Sequence, residues 1–302
     1  MNKLNFIRNY VAENQVDAIL LTGDITDSNY ERKWSFKQYV KNKRAFQALK
    51  GNGSDDHVQL LSCIGNHDMF FGLEDGNDTV FDELVRENVI HNITNYPKGF
   101  TTPNSNKVVK VYGVDYSSNK ETIFEKLNVI NNDSFINTQY FKIVVMHNNL
   151  TPLPERLTEF TYDELQAKFP NINIFIGGHY HIGFPSVQVK GTWFINNWNL
   201  TRVVRDYDVT LDQHTPEFEE ITFDDNLNLV SVKTIKLPFK TFEETFVPNA
   251  INIIKKSKQE IFEFFQIDFE EIVTKQTDLE ILEQFDYEPE IIQLALQYLN
   301  GD

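Results

Sequence analysis

DAILLTGD, residues 17–24, runs four apolar residues into a glycine and a carboxylate. An apolar run this short, bounded by Gly23, reads as a buried strand, because helices need about ten residues or more. The strand's end sets Asp24 where the chain leaves the sheet. Three later segments repeat that grammar. LLSCIGNHD (60–68) delivers Asn66, His67 and Asp68, IVVMH (143–147) delivers His147, and IFIGGHYH (174–181) delivers His179 and His181. In open α/β sheets the crevice beyond the carboxyl ends of the strands is where ligands bind, so four such ends predict one shared site. Glycines before Asp24, Asn66 and His179 let the backbone turn sharply and approach closely.

Outward from these strands the pattern turns helical over 3–14, 30–49, 78–88, 120–129 and 161–168. Further strands are expected over 107–115, 186–196, 217–223 and 229–237, with the turn DDNLN (224–228) making a hairpin that closes the second sheet. Strands alternating with helices, followed by a run of strands, predict an α/β two-sheet sandwich flanked by helices over residues 1–238. After Pro238 the texture changes. Residues 249–265 place Ile251, Ile254, Ile261, Phe262 and Phe265 on one helical face, and helical patterns follow over 268–285 and 289–299. Residues 239–302 therefore read as a small helical module whose apolar faces either pack on the core or dock a partner.

The net charge of −16 is unevenly spread. Residues 1–205 carry 21 Lys and Arg against 22 Asp and Glu, whereas residues 206–302 carry 7 against 22. The acidity belongs to the C-terminal third, and the first two-thirds are left free to present a local basic face. Cys63 is the single cysteine, which argues against a disulfide framework and for an intracellular, cytoplasmic protein. No apolar run approaches the roughly eighteen residues of a membrane span, and the N-terminal stretch is an amphipathic helix without signal-peptide features.

Carboxylate, amide oxygen and imidazole suit divalent manganese, iron or zinc, with magnesium a further candidate. A carboxylate can bridge two cations, and two cations about 3.5–4 Å apart stabilise the attacking and leaving oxygens of an in-line displacement. A centre with few anionic ligands keeps excess positive charge and favours a phosphate substrate. His67, beside Asn66, suits general-acid work, and Asp68 is expected to orient its ring. A GNHD tetrapeptide arises by chance in roughly one chain per thousand. Its occurrence in order with the other three strand ends therefore argues for a built site. His57, His91 and His214 lack that context and read as structural or exposed.

The series GD, GNHD, H and GHxH resembles the calcineurin-like metallophosphoesterase superfamily over roughly residues 1–238. The resemblance implies a dinuclear centre in which Asp24 bridges both metals, Asn66, His147 and His179 bind the second, and His181 binds the first. It also implies that His67 protonates the leaving oxygen. The helix before VDAILLTGDITDS and the C-terminal helical tail look most like the SbcD-type nuclease subunit, which partners an SMC-like ATPase. The family's D-x-H motif, which supplies two first-metal ligands from an opening strand, has no counterpart here. The expectation is an N-terminally incomplete domain, with a missing upstream piece favoured over true loss.

One basic feature bears on substrate. Residues 32–50 contain seven Lys and Arg and no acid. At helical spacing Lys33, Lys37, Lys41 and Arg44 share a face, with Phe36, Tyr39, Val40, Phe46 and Leu49 opposite. Such a face is either a solvated helix surface or a contact for DNA phosphates. The leading expectation is a metal-dependent DNA exo/endonuclease subunit of a repair or recombination complex, with DNA and an ATPase as partners and a homodimer as a further candidate. The alternatives are a phosphoesterase acting on nucleotides or phosphoproteins, and a noncatalytic binding subunit.

Overall fold

The computed structural model describes residues 3–26, 36–50, 58–69, 79–103, 105–136, 138–152, 160–179, 181, 183–197, 199–200 and 215–240. The chain divides into two compact units, Met1–Phe239 and Lys240–Asp302. The expected acidic helices beyond residue 240 lie outside the described residues.

Two sheets organise the first unit. One is a parallel sheet of β1 (Ala18–Leu21), β2 (Gln59–Ser62) and β3 (His91–Asn92), in that order. The other runs β10–β11–β9–β6–β5–β4, built from β4 (Lys98–Phe100), β5 (Lys107–Val114), β6 (Gln139–Met146), β9 (Ile174–Gly177), β10 (Phe184–Val189) and β11 (Thr192–Asn196). Its four inner strands are mutually parallel, and β4 and β10 pair antiparallel at its edges. A two-strand parallel pair, β7 (Leu150–Thr151) with β8 (Phe160–Thr161), completes this part.

Strand alternation assigns the side chains to layers. Leu61 and Cys63, with Ala18 and Leu20, meet Val109, Val111, Ile143, Val145, Ile174 and Ile195 in one cluster between the sheets. On the far side of the six-stranded sheet, Val114, Val144, Met146, Phe175 and Phe194 pack with Ile123 and Leu127 of α4 (Lys120–Asn132) and Leu165 of α5 (Tyr162–Lys168). Outside the smaller sheet, Leu60, Ile19 and Leu21 pack with Ile7 of α1 (Lys3–Asn14), Val40, Phe46 and Leu49 of α2 (Phe36–Leu49), and Val80 and Leu84 of α3 (Val80–Arg86). The result is the expected α/β sandwich with helices on both outer faces.

Local chemistry fixes where helices start. Thr79 and Asp82 form a reciprocal capping box at α3, and Asn119 and Thr161 accept backbone N–H bonds at the starts of α4 and α5. No helix among the described residues is long and apolar enough to cross a membrane.

The hairpin of β12 (Glu217–Phe223) and β13 (Leu229–Lys236) corrects one expectation. It forms as predicted around a turn in which Asp224 Oδ1 accepts from the backbone of Asn226 and Asn228, but it is its own two-stranded sheet. Among the described residues no backbone ladder joins it to the larger sheet. Ile221, Phe223, Leu229 and Val232 pack it against the cluster between the sheets, and side-chain bonds such as Ser186 Oγ to Glu219 Oε1 at 2.7 Å tie it to β10.

Candidate metal centre

The carboxyl ends of β1, β2, β6 and β9 meet at one place, and backbone bonds tie the end of β6 to those of its neighbours β5 and β9. His147 N donates to Val114 O at 3.1 Å, and Gly178 N donates to Met146 O at 2.9 Å. The loops after β1 and β2 come closer than side chains permit. A Cβ on Gly65 would lie 2.1 Å from Asp24 Oδ1 and 2.3 Å from Asp24 N, and one on Gly23 would lie 2.6 Å from His147 Nδ1. Gly23 also has φ of 81°, where glycine carries no steric cost.

Asp24 and His179 adopt left-handed backbone themselves, at φ of 51° and 71°. That conformation costs a non-glycine residue about 1–2 kcal/mol. Two expected ligands thus sit in strained positions that the surrounding loops hold in place, as is common where geometry serves a site.

Four atoms converge. His147 Nε2 lies 3.0 Å from Asp24 Oδ2 and 3.1 Å from Asn66 Oδ1, and His179 Nδ1 lies 2.8 Å from the same amide oxygen. The ligand atoms of Asp24, His147 and His179 all lie within 4.8 Å of one another. His147 Nδ1 lies 2.5 Å from the carbonyl of Thr22, which can only accept, so Nδ1 carries the proton in the neutral ring. Nε2 then turns a lone pair toward a carboxylate and an amide oxygen, neither of which has a proton to give. Acceptors that face each other in this way are satisfied by a cation. This donor set fits a divalent metal.

The electrostatics agree with that reading. Burial lowers the pKa of His179 to about 4, with His147, when protonated, adding to the fall, Asp24 opposing it, and His181 and His67 adding further. His179 is therefore a neutral imidazole at physiological pH, the form that ligates metals. Burial raises the Asp24 carboxyl, but the hydrogen bond and charge that His147 supplies when protonated, together with the backbone N–H of His67, outweigh burial and bring it below the usual range.

The remaining expected residues fall into place unevenly. His67 donates its backbone N–H to Asp24 Oδ1 at 2.8 Å, and its ring and that of His181 stand close enough for their charges to reach His179. Asp68 departs from its expected role. It is fully buried, with Oδ1 accepting from the backbone and hydroxyl of Thr26, each at 2.8 Å, and Oδ2 from Gly65 N at 3.0 Å. Oδ1 clamps the loop after β1 to the loop after β2, and Oδ2 closes the turn within the latter, a role distinct from orienting the His67 ring.

Of the basic helix face, Lys33 and the side chains of Lys37 and Lys41 lie outside the described residues, while Arg44 is exposed on α2. His91 Nε2 meets Tyr96 O at 2.6 Å, well away from the centre in sequence, and His57 and His214 lie outside the described residues.

Sequence reasoning passed over Thr22, Asp115 and Tyr116. Asp115 Oδ1 accepts from Ile64 N at 2.7 Å and Thr94 Oγ1 at 2.6 Å, which braces the loop carrying Asn66. The signal was available, since KVVKVYGVD is a fifth apolar strand that runs into a carboxylate.

Comparison with known proteins adds three findings. Residues 2–183 match the family model of calcineurin-like phosphoesterases. No curated protein matches the chain. Among solved structures, TT1561 of Thermus thermophilus is 13% identical over 65% of this chain and 83% of its own, with a TM-score of 0.40. A hypothetical protein from the same organism is 12% identical over 78% of this chain and 94% of its own, with a TM-score of 0.42.

Proposed function

Because the chain belongs to the calcineurin-like phosphoesterase family, we propose that it is a metal-dependent phosphodiester hydrolase that cleaves the DNA backbone, as the nuclease subunit of a complex with an SMC-like ATPase. The family supports metal-dependent hydrolysis of phosphoesters, and Asp24, His147 and His179 make a group able to hold the metal. The observation that carries the reading is the meeting of acceptor atoms from Asp24, Asn66, His147 and His179.

Those four residues would hold one divalent cation, manganese being the leading candidate, and Asp24 with His181 would contribute to a second. When bound, the metal would supply Lewis-acid stabilisation of the phosphoryl oxygens and an activated water. The protein's own residues do the rest. Asp24 is held in place by the His67 amide, Thr22 fixes the tautomer of His147, and His67 protonates the departing oxygen. DNA is favoured as the substrate because residues 32–50 carry seven cationic side chains and no acid, with Arg44 exposed. The acidic residues after 238 are the element we assign to partner docking.

The test is hydrolysis by the purified chain with manganese, comparing linear duplex DNA, single-stranded DNA and a small aryl phosphodiester. The expected result is metal-dependent DNA cleavage that weakens steeply with salt and is lost in His147→Ala. Turnover of the aryl ester without DNA cleavage would move the substrate to nucleotides or phosphoproteins. No turnover of any substrate, with DNA binding retained, would favour a noncatalytic subunit.

A further inference from the structure

The segment after β5 is held more firmly than a surface loop. Asp115 accepts from Ile64 N and Thr94 Oγ1, Tyr116 N donates to Ile64 O at 2.9 Å, and Asn148 Nδ2 donates to Ser117 O at 3.0 Å. Asn148 is 5% exposed and immediately follows His147, so its bond fastens this segment to the strand end that carries a candidate ligand. Three consecutive residues are thus pinned from three neighbouring elements.

What the pinning positions is the Tyr116 ring. Its centroid lies 5.0 Å from that of His179, inclined at 45°, and 6.2 Å from that of His147, at 69°. The two imidazoles lie 5.1 Å apart at 66°, so the three rings form a closed triangle. His179 is the member most in need of support, because its own backbone is left-handed. Its neighbour Tyr116 offers an aromatic face, and edge and tilted contacts at these distances favour one ring orientation over others. The Tyr116 hydroxyl makes no hydrogen bond among the described residues, so its place is set by the ring and the pinned backbone.

We propose that Tyr116 is a positioning residue of the metal centre, whose ring holds the His179 and His147 imidazoles with their nitrogens facing Asn66. The inference rests on the reading of the centre as a metal site and goes beyond it by assigning the aromatic wall behind two ligands. Residues that orient metal ligands typically change metal affinity by about 10–100-fold when removed. The assignment separates ring from hydroxyl: phenylalanine serves equally well, and aliphatic or small side chains do not.

The experiment measures cobalt(II) binding, by visible absorption and calorimetry, in the full chain and in Tyr116→Phe, Tyr116→Leu and Tyr116→Ala. The metal-free unfolding midpoint of each is recorded alongside. Tyr116→Phe is expected to bind within about twofold of the parent, and the other two about tenfold or more weakly with an altered ligand-field spectrum. Tyr116→Leu keeps the apolar bulk, so the result stands even where the alanine variant fails to fold.

Parent-like affinity and spectrum in Tyr116→Leu overturn the proposal. A Tyr116→Phe as weak as Tyr116→Leu also overturns it, because the hydroxyl would then be the active group. A parent that binds no cobalt removes the metal centre and this role together. Metal binding that follows the expected series, without phosphodiester turnover, overturns only the proposed enzymatic function.

Discussion

Toward the amino ends of β5 and β6, Lys110, Tyr112, Asp133 and Lys142 gather beside a cavity of about 450 Å³ that Asp133, Tyr140 and Lys142 help to line. At the carboxyl ends of the neighbouring strands Asp24, Asn66, His147 and His179 gather as well. Both clusters are polar, both are partly or wholly buried, and both bring together residues distant in sequence. They differ in how donors match acceptors.

Lys142, 4% exposed, donates to Ile130 O and Asn131 O at 2.8 Å each, closing the C-terminal end of α4. Lys110 and Tyr112 both donate to Asp133 Oδ2. Every bond there has a proton on one side and a lone pair on the other. At the carboxyl end the neutral His147 ring turns a lone pair toward two acceptor oxygens, an arrangement that a cation would complete. Pairing, more than burial or residue type, separates the structural cluster from the candidate site.

Removing a member of each cluster tests that comparison. Asn66→Ala is expected to show the largest functional effect, with cobalt(II) affinity falling more than about hundredfold, beyond the usual cost of losing a ligand's support. Its metal-free stability should shift by no more than about 1 kcal/mol, the net worth of an ordinary hydrogen bond. Parent-like metal binding by calorimetry would return this end to the structural class. Gly65→Ala attacks the same end through the backbone. Its Cβ would fall within 2.3 Å of Asp24 N, so stability should drop by the upper part of about 1–3 kcal/mol. Metal affinity should fall with it, since the Asp24 carboxylate must move. Chemical denaturation and cobalt titration of one preparation measure both.

How much of this was legible in advance follows from the same physics. The strands that carry the site were readable because a strand buried on both faces is a short apolar run, and the run's end is visible as a change of residue type. β1, β5 and β9 fall within the expected stretches, and β2 and β6 overlap theirs but begin earlier. β3, β4, β7 and β8 are two or three residues long and show no period, so nothing in the sequence marked them. The separate status of the β12–β13 hairpin was equally hidden, because alternation fixes which side chains face the core but not which backbone edge is paired.

At the site, residue identities were legible and their partners were not. Asp68 looked like a partner for the adjacent His67 because they are neighbours in sequence. Its bonds to Thr26 join two loops that only the folded sheet brings together, and its bond to Gly65 closes its own turn. Thr22 and Tyr116 act through a backbone carbonyl and a ring face, and neither has a sequence signature.

The amino-end cluster yields smaller effects. Lys142→Met keeps the length of the side chain and leaves the carbonyls of Ile130 and Asn131 without their donor. A lost partner for buried polar groups costs about 1–3 kcal/mol, part of which the gain of an uncharged stem in a buried position offsets. A stability loss near 2 kcal/mol is therefore expected. Cobalt affinity should stay at the parental value. A fall in affinity comparable to that of Asn66→Ala would show that the two ends are coupled.

Asp133→Asn should have the smallest effect, and its pH dependence is its signature. Burial raises the Asp133 carboxyl, but its hydrogen bonds from Lys110 and Tyr112 outweigh burial and bring it below the ordinary carboxylate range. A depressed folded pKa means that the charged form is favoured by folding. The contribution is present above the unfolded pKa, near 4, and is lost as pH falls through the folded value. With its side chain 31% exposed, the Lys110 pair is screened, and its worth is no more than about 1 kcal/mol. Unfolding midpoints of the parent and Asp133→Asn should therefore differ slightly at neutral pH and converge below about pH 4. A difference that persisted or grew in acid would mean that Asp133 acts through something other than its charge. The amino-end cluster would then no longer be a set of ordinary pairs, and the contrast with the metal end would lose its basis.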